Sequence, residues 1–216
     1  MNRSFTILLG GALAVDARVR ALVAESRVIA ADGGMRHAAA LSVTPEVWVG
    51  DFDSSESDLI GRYPKIERRN FPPAKNLTDG ALAVEEAIDR GARRIVMAGA
   101  LQGARTDHGL MNMLLAVRLA GEGTEIILTS GEEEAYPLLA GEITVDMPEG
   151  ALFSVLGFSA LEGLSIDNAV YPLDDFALPF GVARAVSNKA RGGPVRFALK
   201  NGVGIIILRP HDFSGV

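Results

Sequence analysis

Cysteine is absent from the chain. Disulfides, thiol nucleophiles and thiolate zinc sites are excluded together by that one fact. Histidine is scarce, with 3 in 216 residues, so metal chemistry has to rest mainly on carboxylates, whose oxygens suit hard ions such as Mg2+. An excess of positive charge is also lacking. The formal net charge is -6, which argues against a general nucleic-acid or membrane surface. A nucleotide ligand remains compatible with it, because a bound cation offsets phosphate charge locally. No apolar run is long enough to cross a bilayer. The stretch from Phe5 to Ala14 behind Arg3 has the look of a short signal peptide. The βα alternation that follows it favours a buried first strand ending in a glycine turn, and with it a cytoplasmic location.

Apolar residues are plentiful, at 48%, enough for a substantial core and against disorder. Short apolar runs recur at Phe5–Leu9, Arg27–Ala31, Val47–Gly50, Arg94–Ala98 and Glu125–Thr129. Helical patterns lie between them, one presenting Ala81, Val84, Ala87 and Ile88, another Leu110, Met111, Leu114 and Leu115. Buried strands alternating with helices predict an α/β fold with a mostly parallel sheet and flanking helices. Beyond Ser130 the rhythm shortens, and turn residues crowd at Gly141, Gly150, Gly157, Gly163 and Gly192-Gly193. A small antiparallel, β-sandwich-like domain is expected there, which divides the chain into 1–130 and 132–216. Val195–Lys200, Asn201-Gly202 and Val203–Leu208 read as a hairpin. Glu132-Glu133-Glu134 reads as a solvated connection, and Trp48 as core.

Ligands of parallel sheets gather at the carboxyl ends of strands, and polar residues fall there repeatedly. Asp51 and Asp53 follow Val47–Gly50; two apart in an extended chain, they project to one side and can hold a hard cation that also meets phosphate. A turn in which either carboxylate bonds backbone amides fits the same residues. Lys75-Asn76-Leu77-Thr78-Asp79 precedes one helix, and Arg105-Thr106-Asp107-His108 opens another. Capping explains any one of Thr78, Asp79, Thr106 or Asp107. It does not explain the accompanying Lys75 and Arg105, and acids for an ion with bases for phosphate oxygens are what a polyphosphate site requires. Asp32-Gly33-Gly34 offers backbone amides to an anion, or merely a tight βα turn. His108 is either a phosphate donor or structural. Neither the Gly-x-x-x-x-Gly-Lys-Ser/Thr loop nor the Gly-x-Gly-x-x-Gly fingerprint occurs.

In order along the chain, Ala31-Asp32-Gly33-Gly34, Val49-Gly50-Asp51-Phe52-Asp53-Ser54, Lys75 to Asp79, Arg105 to His108 with Asn112, Leu178-Pro179-Phe180-Gly181 and Ala185-Val186-Ser187-Asn188 resemble the thiamine diphosphokinase (thiamin pyrophosphokinase) family. The resemblance implies diphosphoryl transfer from ATP to thiamine with Mg2+, an ATP- and metal-binding domain at 1–130 and a thiamine-binding domain at 132–216. It also implies a homodimer with active sites at the subunit interface. By motif, Asp51, Asp53, Asp79 and Asp107 become the metal and phosphate-site acids, joined in catalysis by Arg105. Asp32, Gly33, Gly34, Lys75, His108 and Asn112 attend the nucleotide, and Ser187 and Asn188 the thiamine. Departures from the family pattern stand at Met35-Arg36, Asn76, Gly80-Ala81 and Ala104. Two other readings of the acids are a phosphatase with Asp51 as covalent nucleophile and Asp53 as acid–base, and a non-catalytic nucleotide or thiamine sensor.

Overall fold

The computed structural model describes residues 3–52, 57–70, 77–103 and 105–214, with 57 and 58 by backbone alone. The fold is α/β, in two compact units: 1–115 with 123–131, and 116–122 with 132–216.

The first unit holds β1 (Ser4–Leu8), β2 (Arg27–Ala31), β3 (Val47–Gly50), β4 (Glu67–Asn70), β5 (Arg94–Ala98) and β6 (Glu125–Thr129). They lie in the order β6-β5-β1-β2-β3-β4, every neighbouring pair parallel. The inner strands read as unbroken apolar runs because both faces are covered; Ile7, Ile29, Trp48, Ile95 and Met97 are fully buried. The helices are α1 (Ala17–Val23), α2 (His37–Leu41), α3 (Ser57–Arg62), α4 (Asp79–Asp89) and the first part of α5 (Thr106–Gly121), whose residues from 116 onward fall in the second unit. Asp16 caps α1 by accepting from the Val19 amide at 2.7 Å, and Thr78 caps α4 by accepting from Ala81 at 3.2 Å. The edge strand β4 has no apolar signature and escapes the reading of apolar runs. Its Glu67-Arg68-Arg69 run is charged and exposed, which discourages edge-to-edge association. The buried Glu86 of α4 accepts from both Arg69 and Arg90, so the edge is tied to the helix by a buried carboxylate with two cationic partners.

Two helix faces differ from the expected ones. In α4 the buried residues are Ala83, Val84, Glu86 and Ala87, while Ile88 is exposed. In α5, Leu110, Met111 and Leu114 are exposed, and Gly109, Ala116 and Leu119 are buried. The reason is close approach. A side chain at Gly109 would stand 3.2 Å from the Leu101 carbonyl oxygen, so the helix packs through its small residues rather than its large ones.

The second unit carries antiparallel strands in two sheets. One contains β7 (Glu134–Leu138), β9 (Leu152–Gly157), β12 (Asn188–Lys189) and β14 (Gly204–Arg209) in the order β12-β9-β14-β7. The other contains β8 (Gly141–Met147), β10 (Leu161–Asp167), β11 (Leu173–Leu178) and β13 (Gly193–Leu199) in the order β11-β10-β13-β8. Phe153 of β9 and Phe197 of β13 meet edge to face, with centroids 5.5 Å apart, and join the two layers. The expected hairpin is not formed, since β13 pairs with β8 and β10 while β14 pairs with β7 and β9. Asn201 bonds instead to Glu162, and the Val203 carbonyl accepts from Phe158 and Ser159, so the Asn-Gly segment carries the chain from one sheet to the other. Glu134 is not solvated either: it is 1% exposed and accepts from the Tyr136 hydroxyl.

Phe197→Ala removes a fully buried ring and should cost about 3–5 kcal/mol. Urea denaturation followed by far-ultraviolet circular dichroism checks this, and an unchanged midpoint would contradict the packing described.

Candidate active site

In the first unit β1 has β5 on one side and β2 on the other, so the order of strands reverses there. Loops leaving the carboxyl ends on either side of such a point diverge and open a crevice. The loops after β1, β2, β3 and β5, with the starts of α4 and α5, wall a cavity of about 600 Å3, the size of a small-ligand site. Its floor is backbone. Leu9 N–H donates to Ala98 O at 2.8 Å, Gly11 N–H to Gly99 O at 3.1 Å, and Ala12 N–H to Gln102 O at 2.8 Å. A Cβ on Gly11 would lie 2.3 Å from Gly99 O, and one on Gly34 would lie 2.1 Å from Leu8 O. Neither position accepts a side chain without moving backbone.

Around this floor the structure brings together Asp32, Gly33, Asp51, Asp79, Arg105, His108 and Asn112, each expected from the sequence to serve the site. Asp32 opens a short 3-10 turn, Asp32–Arg36, in the left-handed region with φ 41°, and Phe52 follows Asp51 with φ 60°. Trp48 supports both turns. Its indole N–H donates to the Asp32 carbonyl at 2.9 Å, and its ring meets Phe52 edge to face at 5.1 Å. Asp79 stands in the first turn of α4 and Asp107 in the first turn of α5, where the helix dipole favours negative charge. Asn112 donates to Ala100 O at 2.9 Å and so steadies the loop after β5. Gly34 is buried beneath the cavity, against β1.

Asp107 does not line the cavity. It is engaged by Arg105 through two bonds, Nε to Oδ1 at 2.9 Å and Nη2 to Oδ2 at 2.6 Å. That hydrogen-bonded guanidinium pulls the Asp107 carboxyl down to about 2, with the His108 amide and imidazole contributing less. Asp53, Lys75, Asn76 and Ala104 lie outside the described residues.

Ser187 and Asn188 belong to the second unit. Ser187 is exposed, adopts φ 57° and donates its amide to Ser154 Oγ at 3.1 Å. Asn188 is 4% exposed. Its Oδ1 accepts from the Tyr171 and Lys189 amides at 3.0 and 2.8 Å, and its Nδ2 donates to Tyr171 O at 2.7 Å. Counting partners among the described residues, one amide N–H is then left for a ligand.

Gly10, Gly11, Arg36 and Gln102 also line the cavity and were not singled out as site residues from the sequence. Paired glycines directly after an apolar strand were the available signal for the first two. His37, which stands in no motif, is buried and bonds Gly11 O through Nε2 at 2.9 Å. A carbonyl only accepts, so Nε2 carries the proton. Burial pushes its pKa down, against the effect of the Gly11 bond and with the help of Arg36.

An α/β unit with an acid-lined cavity at its strand reversal, accompanied in the chain by an antiparallel β unit, defines a class of α/β proteins whose ligand crevice lies at the strand ends. Residues 20–128 match the family model described as thiamin pyrophosphokinase, catalytic domain, a kinase or diphosphotransferase domain that uses ATP. The chain belongs to the thiamin pyrophosphokinase family. It resembles in fold the crystal structure of thiamine pyrophosphokinase from Bacillus subtilis, with TM-score 0.83 and 21% identity over 97% of this chain and 100% of that one. The enzyme from Geobacillus thermodenitrificans gives TM-score 0.82 at 23% identity, covering 99% and 100%. That of Candida albicans gives 0.76 at 12%, covering 95% and 90%. No curated protein matches the sequence. Among the described residues no helix is long and apolar enough to cross a membrane.

The Arg105–Asp107 pair is open to measurement. Carbon-detected NMR titration should place the Asp107 midpoint near 2, and Arg105→Ala should move it up toward the ordinary aspartate value of about 3.9. An unmoved midpoint would show that the pair does not form in solution.

Proposed function

We propose that the protein is a thiamine diphosphokinase, transferring the diphosphoryl group of ATP to the hydroxyethyl arm of thiamine. The observation that carries the reading is the gathering of Asp32, Asp51 and Asp79 with Arg105 around one cavity, inside the matched catalytic segment. In the reaction the thiamine hydroxyl oxygen forms a bond to the β-phosphorus while the bond from that phosphorus to the α–β bridging oxygen breaks, and AMP leaves. Catalysis of this kind is mostly positioning and electrostatics.

Among the described residues no three acidic or imidazole groups already converge as a cation cluster. The cavity carboxylates nonetheless suit Mg2+, which is commonly held by one or two carboxylates together with substrate phosphates and water. Asp51, Asp53, Asp79 and Asp107 would hold it, and when bound it neutralises phosphate charge. Arg105 exchanges Asp107 for a phosphate oxygen and, with Lys75, stabilises charge growing on the departing AMP. An exposed ion pair is a weak tie, so polyphosphate can displace it. Asp79 lines the cavity and Asp107 does not, which makes Asp79 the better placed of the two to accept the hydroxyl proton. Asp32, Gly33, Gly34, His108 and Asn112 serve the nucleotide. Ser187 contributes its exposed hydroxyl to thiamine, and Asn188 its remaining N–H. A homodimer belongs to the same reading; Tyr171, Phe180 and Val182 are exposed apolar side chains of the second unit of the kind a subunit contact covers. Such an enzyme needs no membrane or nucleic acid and works in the cytoplasm.

The test is to incubate the protein with thiamine, ATP and Mg2+ and weigh the products. Thiamine diphosphate and AMP are expected; ADP with thiamine monophosphate would make it a different kinase. Asp51→Asn should lower kcat/KM by a factor equivalent to about 3 kcal/mol, the scale of one lost preorganised electrostatic contact. Turnover near that of the parent at limiting Mg2+ would remove Asp51 from the machinery.

A further inference from the structure

The deployment of charge in the cavity wall leaves one cation in an unusual position. Arg105 is committed to Asp107 by two bonds, and Asp32, Asp51 and Asp79 line the same space. A polyphosphate entering there meets three carboxylates, and Arg105 reaches it only by releasing Asp107. Arg36, the last residue of the 3-10 turn after β2, also lines the cavity. Its Nη2 donates to the Gly10 carbonyl and, at 3.1 Å, to the Gly11 carbonyl. Its partners among the described residues are therefore neutral carbonyls and not a carboxylate. The residue is exposed, and Nη1 stands 3.6 Å from the point where a Cβ on Gly33 would be. Both Nη2 hydrogens are spent on the glycine loop, while Nε and Nη1 keep three N–H donors of the guanidinium's five.

Two consequences follow from this geometry. The carbonyl oxygens of Gly10 and Gly11 would repel an anion, and Arg36, with His37 on Gly11, satisfies them. Its printed bonds are to carbonyl oxygens, which leave the positive charge on the guanidinium, on a side chain fixed at one end. A planar fork held in that way is suited to a phosphate oxygen.

We infer that Arg36 is a phosphate-binding residue for the donor nucleotide, receiving an anionic oxygen of the polyphosphate through Nη1 or Nε while Nη2 holds the Gly10–Gly11 loop. The inference deepens the reading of this cavity as a nucleotide site and rests on it. It assigns to Arg36 the part of a standing cation, and to Arg105 that of one recruited by exchange.

Calorimetry with Mg2+-ATP, tripolyphosphate and adenosine as separate ligands tests the assignment on the full chain. Arg36→Ala should weaken ATP and tripolyphosphate about tenfold or more, the scale of a lost charge-assisted hydrogen bond, and leave adenosine unchanged. Arg36→Lys, which keeps the charge, should retain most of the tripolyphosphate affinity, and Arg36→Gln, a neutral donor, should not. If Arg36→Ala fails to fold, the contrast between the Lys and Gln variants decides. The inference is overturned if tripolyphosphate binds Arg36→Ala or Arg36→Gln as it binds the parent, or if the parent does not bind tripolyphosphate. It is equally overturned if adenosine affinity and thermal midpoint fall in step with ATP affinity, since Arg36 would then only hold the loop. Arg36-dependent tripolyphosphate binding in a parent that makes no thiamine diphosphate would remove the activity and keep the phosphate site. A parent that makes thiamine diphosphate while Arg36→Ala binds tripolyphosphate normally would do the reverse.

Discussion

Everything at the cavity depends on how closely backbone meets backbone at the carboxyl end of β1. Gly34 stands so near Leu8 O, and Gly11 so near Gly99 O, that any side chain at either point would force backbone segments apart. This contact draws the turn after β2 and the loop after β5 onto the central strand, and the cavity forms above them. The reversal of strand order supplies an opening. The glycines keep that contact backbone against backbone, and the polar side chains of the cavity come from the turns around it.

The rim is arranged to support them. Trp48 is fully buried, yet it reaches both acid-bearing turns, through a hydrogen bond to Asp32 O and an edge contact to Phe52. Two non-glycine residues in the left-handed region are thereby held from below, and strain of that kind persists where surroundings over-determine it. The electrostatic arrangement is complementary. Carboxylates face the cavity, one arginine is tied to Asp107, and another is anchored on carbonyl oxygens. A site lined by Asp32, Asp51 and Asp79 beside two arginines suits a ligand that brings cation and polyanion together.

Much of this was legible in the sequence because it rests on patterns of short range. Apolar runs located five of the six parallel strands; β4 was missed because Glu67-Arg68-Arg69 is an edge whose packing is ionic. Polar residues at strand ends pointed to Asp32, Asp51, Asp79 and Arg105. What could not be read depends on tertiary approach. Leu110, Met111 and Leu114 look like a core face, but Gly109 and Ala116 are the residues that pack. Asn201-Gly202 has the local chemistry of a hairpin, and only the bonds of that segment to Glu162, Phe158 and Ser159 turn it into a crossing between sheets. Arg36 and His37 have no motif, since their partners are carbonyl oxygens of Gly10 and Gly11, which lie about 25 positions away in the chain.

The central claim is that the nucleotide occupies the backbone-floored cavity at the strand reversal. Hydrogen–deuterium exchange with Mg2+ and a non-hydrolysable ATP analogue addresses it directly. Amides of residues 9–11, 32–34, 99–103 and the first turn of α5 should exchange more slowly on binding, while β8 and β13 stay unchanged. Protection confined to the second unit, with those loops exchanging as before, would contradict the account.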